Sequence, residues 1–342
     1  MIGSVEMDDR GSTGNSDRAH KPKLEGEDRM SPRQGLGMVS PVKYEPVLLA
    51  LFSALLAACG GEAAPRLEEV PMKEVSVDGT RIRYIEKGEG TPLVLVHGIP
   101  TSSFLWRDMI EELSSHGRVI APDLPGFGLS DPPPNGDYSI SGYASLLESF
   151  LESLSITDAT LVCHDFGGPV TVTYALRNPD KYERLVILNT FLDTDLPDWG
   201  LLPKLASIRP VGEILMKLGG KSITRAGLEA GVVDKSRISN EVFHRYYMAD
   251  GSPDKVSETY LGTLRADSTE DLKFIEDNLH TIDKPALIIW AEEDAYLPLR
   301  LGERIHQRIV GSDFRKLPAC GHFLQEDEPE KVTKLIIGFL ER

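Results

Sequence analysis

From residue 71 onward, apolar and polar positions follow two alternating rhythms. Short continuous apolar runs recur at Pro92–Val96, Arg118–Ala121, Ala159–Val162, Leu185–Leu188 and Pro285–Trp290. Runs this short and this apolar fit strands buried on both faces. Between them, Ser103–Leu113, Tyr143–Leu154 and Pro169–Arg177 space their apolar residues at helical intervals. Ahead of them, Glu74–Val77 and Thr80–Ile85 flank Asp78-Gly79, a two-residue hairpin turn. This alternation predicts a mostly parallel sheet with helices on both faces. From Phe191 to about Asn278 the rhythm breaks. No clear strand occurs there, and charges, Gly and Met are mixed with helical stretches such as Val211–Lys217 and Val242–Met248. An inserted, mainly helical subdomain at 191–278 is expected, dividing a core made of 71–190 and 279–342. The α/β rhythm then resumes with helix Leu299–Arg308, strand Phe314–Leu317 and helix Glu330–Leu340.

The front of the chain differs. Residues 1–45 are rich in Gly, Ser, Asp, Lys and Pro and lack apolar periodicity, which predicts disorder or a leader ahead of the true start. The apolar stretch Pro46–Gly61 is too short to span a bilayer and suits the h-region of a secretory signal, with Met38 as the start and Lys43 as a meagre basic flank. Its end, Leu56-Ala57-Ala58-Cys59, resembles the lipobox of bacterial lipoproteins. That resemblance implies a leader and signal segment at 1–59 cut just before Cys59, lipid on Cys59, a tether at 60–70, and a membrane-anchored protein outside the cytoplasm. Unprocessed, the chain would be cytoplasmic.

The 342 residues suffice for one large domain or two small ones, and the formal net charge of −16 argues against a nucleic-acid partner. It also disfavours electrostatic adhesion to anionic lipid. Of three cysteines, Cys59, Cys163 and Cys320, none has metal-site or disulfide-framework spacing. Cys163 and Cys320 are expected near one another but unpaired.

The candidate chemistry centres on Cys163-His164-Asp165-Phe166-Gly167, a strand–turn–helix junction with small residues two positions either side of a polar one. This is the pattern of a nucleophile elbow, with a carboxylate where a hydroxyl is usual. A carboxylate nucleophile needs an oxyanion site and a base to hydrolyse the ester it forms. His322, in the loop after the last strand, is the candidate base. Asp294, just past a strand, is the candidate acid that orients it, giving the order nucleophile–acid–His. Glu292 and Glu293 adjoin it, and a second acid position lies after Leu188, where Asn189, Asp193 and Asp195 stand. The oxyanion donors are expected to be the backbone N–H groups of Ile99 and Phe166. His97 is assigned to shaping its turn, and His164 receives no role.

Four stretches together, His97–Arg107, Asp123–Asp131, His164–Gly168 and Gly321–Pro329, resemble the haloalkane dehalogenases and, more broadly, the epoxide hydrolases of the α/β-hydrolase superfamily. The resemblance covers about 71–342 and is weakest in the inserted segment. It implies an α/β-hydrolase fold with a helical cap, and a small apolar substrate. It also implies alkylation of Asp165 with loss of halide, then ester hydrolysis through His322, with no metal or organic cofactor. The halide-binding positions depart from that family. Its usual residue after the nucleophile is a halide-binding Trp, and Phe166 has no such donor. Ile99 stands where a halide-binding Asn would be, and Trp199 is the one Trp of the inserted segment. Epoxide hydrolases protonate the opening oxygen with cap tyrosines, for which Tyr246, Tyr247 and Tyr260 are available. An alternative of another class is a lipid-tethered binding protein that kept the fold and lost turnover. Substrate size and oligomeric state are not encoded legibly.

Overall fold

The computed structural model describes residues 71–198, 200–249 and 252–342. Eight strands form one sheet: β1 Met72–Val77, β2 Thr80–Lys87, β3 Pro92–Val96, β4 Arg118–Pro122, β5 Ala159–Asp165, β6 Tyr182–Thr190, β7 Ala286–Ala291 and β8 Asp313–Leu317. Their spatial order is β1-β2-β4-β3-β5-β6-β7-β8. The β1–β2 and β2–β4 pairs are antiparallel, and all others are parallel. The hairpin closes with Val77 opposite Thr80. Asp78 and Gly79 both take positive φ, 49° and 82°, as the tight turn between twisted strands demands.

The apolar runs sort by strand parity, because successive side chains point to opposite faces. Val94, Val96, Leu161, Cys163, Leu185, Ile187, Ile288 and Trp290 build one half of the core. Leu93, Leu95, Val162, Val186, Leu188, Leu287, Ile289 and Ala291 build the other. Cys163 and Cys320 therefore do not meet as expected: each is a free, buried thiol, and they fall in different halves of the core.

Between β6 and β7 the described residues contain five α-helices and no strand: Leu201–Ser207, Val211–Ala230, Asn240–Tyr247, Pro253–Arg265 and Thr269–Asn278. The second runs well past Lys217, where the sequence predicts its end. Gly219 and Gly220 weaken a helix interior by about 1 kcal/mol each, but both are buried. A Cβ on Gly220 would lie 3.3 Å from the Tyr247 hydroxyl, so the missing side chain lets a neighbouring helix close in. In Thr269–Asn278, Leu272 and Ile275 join the half-core of Leu161. Among the described residues no helix is long and apolar enough to cross a membrane.

Candidate active site

Five parallel strands end at the same edge, and the candidate groups sit just beyond them. Ile99 follows β3, Asp165 ends β5, Asn189 lies near the end of β6, Asp294 follows β7 and His322 follows β8. Open α/β sheets place their sites at these carboxyl ends.

Asp165 occupies the turn with φ 50°, a left-handed conformation that non-glycine residues hold only where surrounding structure enforces it. The enforcement is close packing. A Cβ on Gly167 would lie 2.4 Å from the carbonyl oxygen of His97, so the strand–helix turn tolerates no side chain there. Thr190 adds a hydrogen bond from its hydroxyl to the Asp165 carbonyl, 2.6 Å. The turn aims the carboxylate at two partners. Oδ1 accepts the Ile99 N–H at 2.8 Å, and the Phe166 N–H also donates to this carboxylate. Oδ2 faces the His322 Nε2 at 3.4 Å, with the Asp165 side chain 16% exposed and the imidazole 2%. Burial works against the Asp165 charge, yet hydrogen bonding and attraction from His322 hold its pKa below the ordinary value.

His322 is gripped from behind. Its Nδ1 lies 2.9 Å from Asp294 Oδ2. Asp294 Oδ1 accepts the N–H groups of Tyr296 and Leu297 at 2.7 and 2.9 Å, and Oδ2 also accepts the Asn189 side-chain amide. Burial pushes the His322 pKa down, but Asp294 and Asp165 outweigh it and lift it to about 10. The two carboxylates thus favour the cationic form of the imidazole between them. Rings of His164, Tyr296 and Phe323 pack around it at centroid distances of 4.7, 5.3 and 4.8 Å.

The other candidates fall in different places. Asp193 and Asp195 both pair with Arg304, at 3.1 and 2.7 Å, and Glu292 and Glu293 are exposed. His97 shapes its turn: Nδ1 binds the Gly98 carbonyl and Nε2 accepts the Leu124 N–H, both at 2.8 Å. His164 is less idle than the sequence suggests, since its Nε2 holds the backbone carbonyl of His322 at 2.9 Å. Tyr246 is not free to meet a substrate as expected, because its buried hydroxyl is hydrogen-bonded to Glu326. Tyr247 stacks on Phe243 at 5.4 Å and bonds Ser257, again away from the carboxylate partners. Trp199 and Cys59 lie outside the described residues. Tyr260 is the tyrosine of the helical segment that feels Asp165: burial, then the Asp165 charge, lift its pKa to about 12. No described residue hydrogen-bonds its hydroxyl. Asn189, noted in the sequence only as occupant of an alternative acid position, proves to be a brace. It joins Asp294 to the Ala291 N–H, which its Oδ1 accepts at 3.0 Å. Among the described residues no group of three or more His, Cys, Asp or Glu is placed to hold a metal ion.

A carboxylate on an elbow, an imidazole beside it and a second carboxylate behind the imidazole define a hydrolase of the α/β-hydrolase class. The chain matches the model of the alpha/beta hydrolase family over residues 93–335 and belongs to that family. It is 31% identical over 275 residues to a haloalkane dehalogenase of Psychrobacter cryohalolentis, covering 76% of this chain and 87% of that protein. The crystal structure of a putative ancestral haloalkane dehalogenase superposes with a TM-score of 0.71 at 26% identity, covering 79% of this chain and 98% of that one. An epoxide hydrolase structure superposes at 0.67 with 23% identity over 80% of this chain and 99% of its own, a likeness of fold.

Proposed function

We propose that this enzyme cleaves carbon–halogen bonds by way of an ester on Asp165, converting a haloalkane and water into an alcohol, halide and a proton. The observation that carries this reading is the split duty of the Asp165 carboxylate: Oδ1 is held by backbone N–H, while Oδ2 is left facing the imidazole. Oδ2 attacks the carbon bearing halogen, and the carbon–halogen bond breaks as halide departs. Alkylation neutralises Asp165, so His322 loses the attraction of one carboxylate and releases its proton. The neutral Nε2 then takes a proton from water, whose oxygen attacks Cγ of Asp165. Negative charge collects on Oδ1, which the Ile99 N–H already holds, with the Phe166 N–H donating to the same carboxylate. Collapse of this intermediate breaks the bond to the alcohol oxygen, which takes the proton from His322, and the added hydroxyl then returns its proton to the imidazole, restoring the carboxylate. Similarity to a haloalkane dehalogenase at 31% identity supports the choice of electrophile.

Two observations favour a second reading, epoxide opening. The Phe166 side chain supplies no hydrogen-bond donor for a departing halide, and the Tyr260 hydroxyl stands unengaged among the described residues near the Asp165 charge. A tyrosine there suits protonation of an opening epoxide oxygen. The test uses matched six-carbon probes, 1-bromohexane and 1,2-epoxyhexane. Bromide release supports the first reading. Diol without bromide release replaces it with the second. Inertness to both, with tight retention of either probe, would make the protein a binding module.

A further inference from the structure

Glu326 lies a few residues past the candidate base, in the short buried helix Leu324–Asp327. Its side chain is only 2% exposed, and a buried carboxylate must be paired to be tolerated. Arg107 supplies the pair as a fork: Nη1 binds Oε1 at 2.7 Å and Nη2 binds Oε2 at 2.6 Å. This bidentate geometry fixes direction as well as distance. Arg107 is itself immobilised, 4.3 Å over the Phe104 ring and 3.2 Å from the Phe104 carbonyl. Phe104 lies in the turn Ser103–Trp106, which the backbone enters directly from the Ile99 oxyanion donor. A third element joins from the helical segment. The Tyr246 hydroxyl donates to Glu326 Oε1, and its ring meets Phe104 edge-on at 5.5 Å. Next along the chain, Asp327 accepts the Gly321 N–H at 2.8 Å and the Val233 N–H at 3.1 Å. The Phe323 N–H completes the seam by donating to the Gly231 carbonyl at 2.9 Å.

We infer that Glu326, held by Arg107 and Tyr246, is a positioning residue that sets the His322 loop in register with the oxyanion turn and the helical segment, and so governs hydrolysis of the ester. This rests on the reading of Asp165 as nucleophile. The two half-reactions depend on different parts of the frame. Ester formation needs the Asp165 carboxylate, which sits on the elbow between β5 and its helix. Ester hydrolysis needs His322 to place a water against Cγ while the Ile99 N–H stays on Oδ1. Only the second step requires the base loop and the oxyanion turn to keep a fixed separation, and the Arg107–Glu326 fork spans that separation.

The experiment compares the full chain with Tyr246→Phe and Glu326→Gln by rapid-quench kinetics on whichever six-carbon probe turns over, with thermal melting alongside. Tyr246→Phe keeps the ring and the ion pair, so it reports on register even if Glu326→Gln folds poorly. Hydrolysis of the ester slows about tenfold in Tyr246→Phe, because loss of fixed geometry is felt at this scale. Ester formation is unchanged, so the Asp165 adduct accumulates and kcat and KM fall together. A role confined to stability would lower the melting temperature and leave that split unmoved. Unchanged hydrolysis in both folded variants, or equal slowing of both steps, overturns the inference. His322→Gln separates the two claims. If it yields no added mass on Asp165, the nucleophile reading fails and this inference with it. If it traps the adduct while Tyr246→Phe hydrolyses normally, the inference alone fails.

Discussion

Replacing Gly98 by alanine puts one methyl group where the Asp165 carboxylate sits. The added Cβ would lie 2.3 Å from Asp165 Cβ, 2.4 Å from Oδ1 and 2.8 Å from Cγ, whereas ordinary contact begins at 3.4 Å. The nucleophile or the turn must therefore retreat by about 1 Å, and a misplacement of that size in a reacting group costs about 100-fold in rate. The backbone at Gly98 is not in the left-handed region, so the clash itself is the perturbation. Of the two carboxylate oxygens the clash falls on Oδ1, the one fixed by the Ile99 N–H at 2.8 Å. Both half-reactions suffer: attack loses its aim, and the oxyanion loses a donor. Overpacking of this kind also costs about 1–3 kcal/mol of stability. Single-turnover measurement of adduct formation, paired with urea unfolding, separates the two effects. A Gly98→Ala protein that forms adduct at the wild-type rate would refute the placement of the nucleophile against the oxyanion turn.

Asp165→Asn should fold normally and form no adduct by intact mass; turnover persisting after deamidation has been excluded would mean another nucleophile. Asn189→Ala removes the amide between Asp294 and the Ala291 N–H, leaving a buried donor unpaired at a cost of about 1–3 kcal/mol. Unchanged urea midpoints would show the brace contributes nothing. The His322 pKa is raised from an ordinary 6.5 to about 10, so its stabilisation is complete below the unfolded value and is lost as pH rises through the folded one. Unfolding free energy should fall between pH 6.5 and 10, and His322→Gln should flatten that decline; equal slopes in both proteins would contradict the ion triad.

Most of the frame was legible because its signals are local. Buried parallel strands leave continuous apolar runs, and the elbow leaves small residues at fixed offsets from Asp165. The order of Asp165, Asp294 and His322 followed from those strands. What stayed hidden depends on contacts between distant elements. Helical spacing places Tyr246 and Tyr247 on a helix, but does not say which helix face meets the site. Tyr246 turned to Glu326, 80 residues away in the chain, while Tyr260 is buried within reach of the Asp165 charge. Asn189 looked like a vacant acid position because its job is to bond the acid that sits elsewhere. The helix from Val211 runs past Lys217 through Gly219 and Gly220 because propensity cannot see the neighbour that packs against them.

The charge pattern of the resting site also bears on the order of events in the proposed cycle. Burial opposes the charge on His322, and the pull of Asp294 and Asp165 outweighs it. A protonated imidazole cannot activate water, so the base is disabled while the nucleophile is free. Formation of the ester removes the Asp165 charge and leaves Asp294 as the one carboxylate opposing burial. The pKa of His322 then falls, and the base is switched on by the event that creates its substrate. Replacing Asp294 with asparagine would weaken the same pull from the other side. The free enzyme would then hold a less basic imidazole, and the ester would face a base whose cation has lost its remaining anionic partner. Ester hydrolysis should suffer more than ester formation, because in hydrolysis the imidazolium must form again with no charge on Asp165 to receive it.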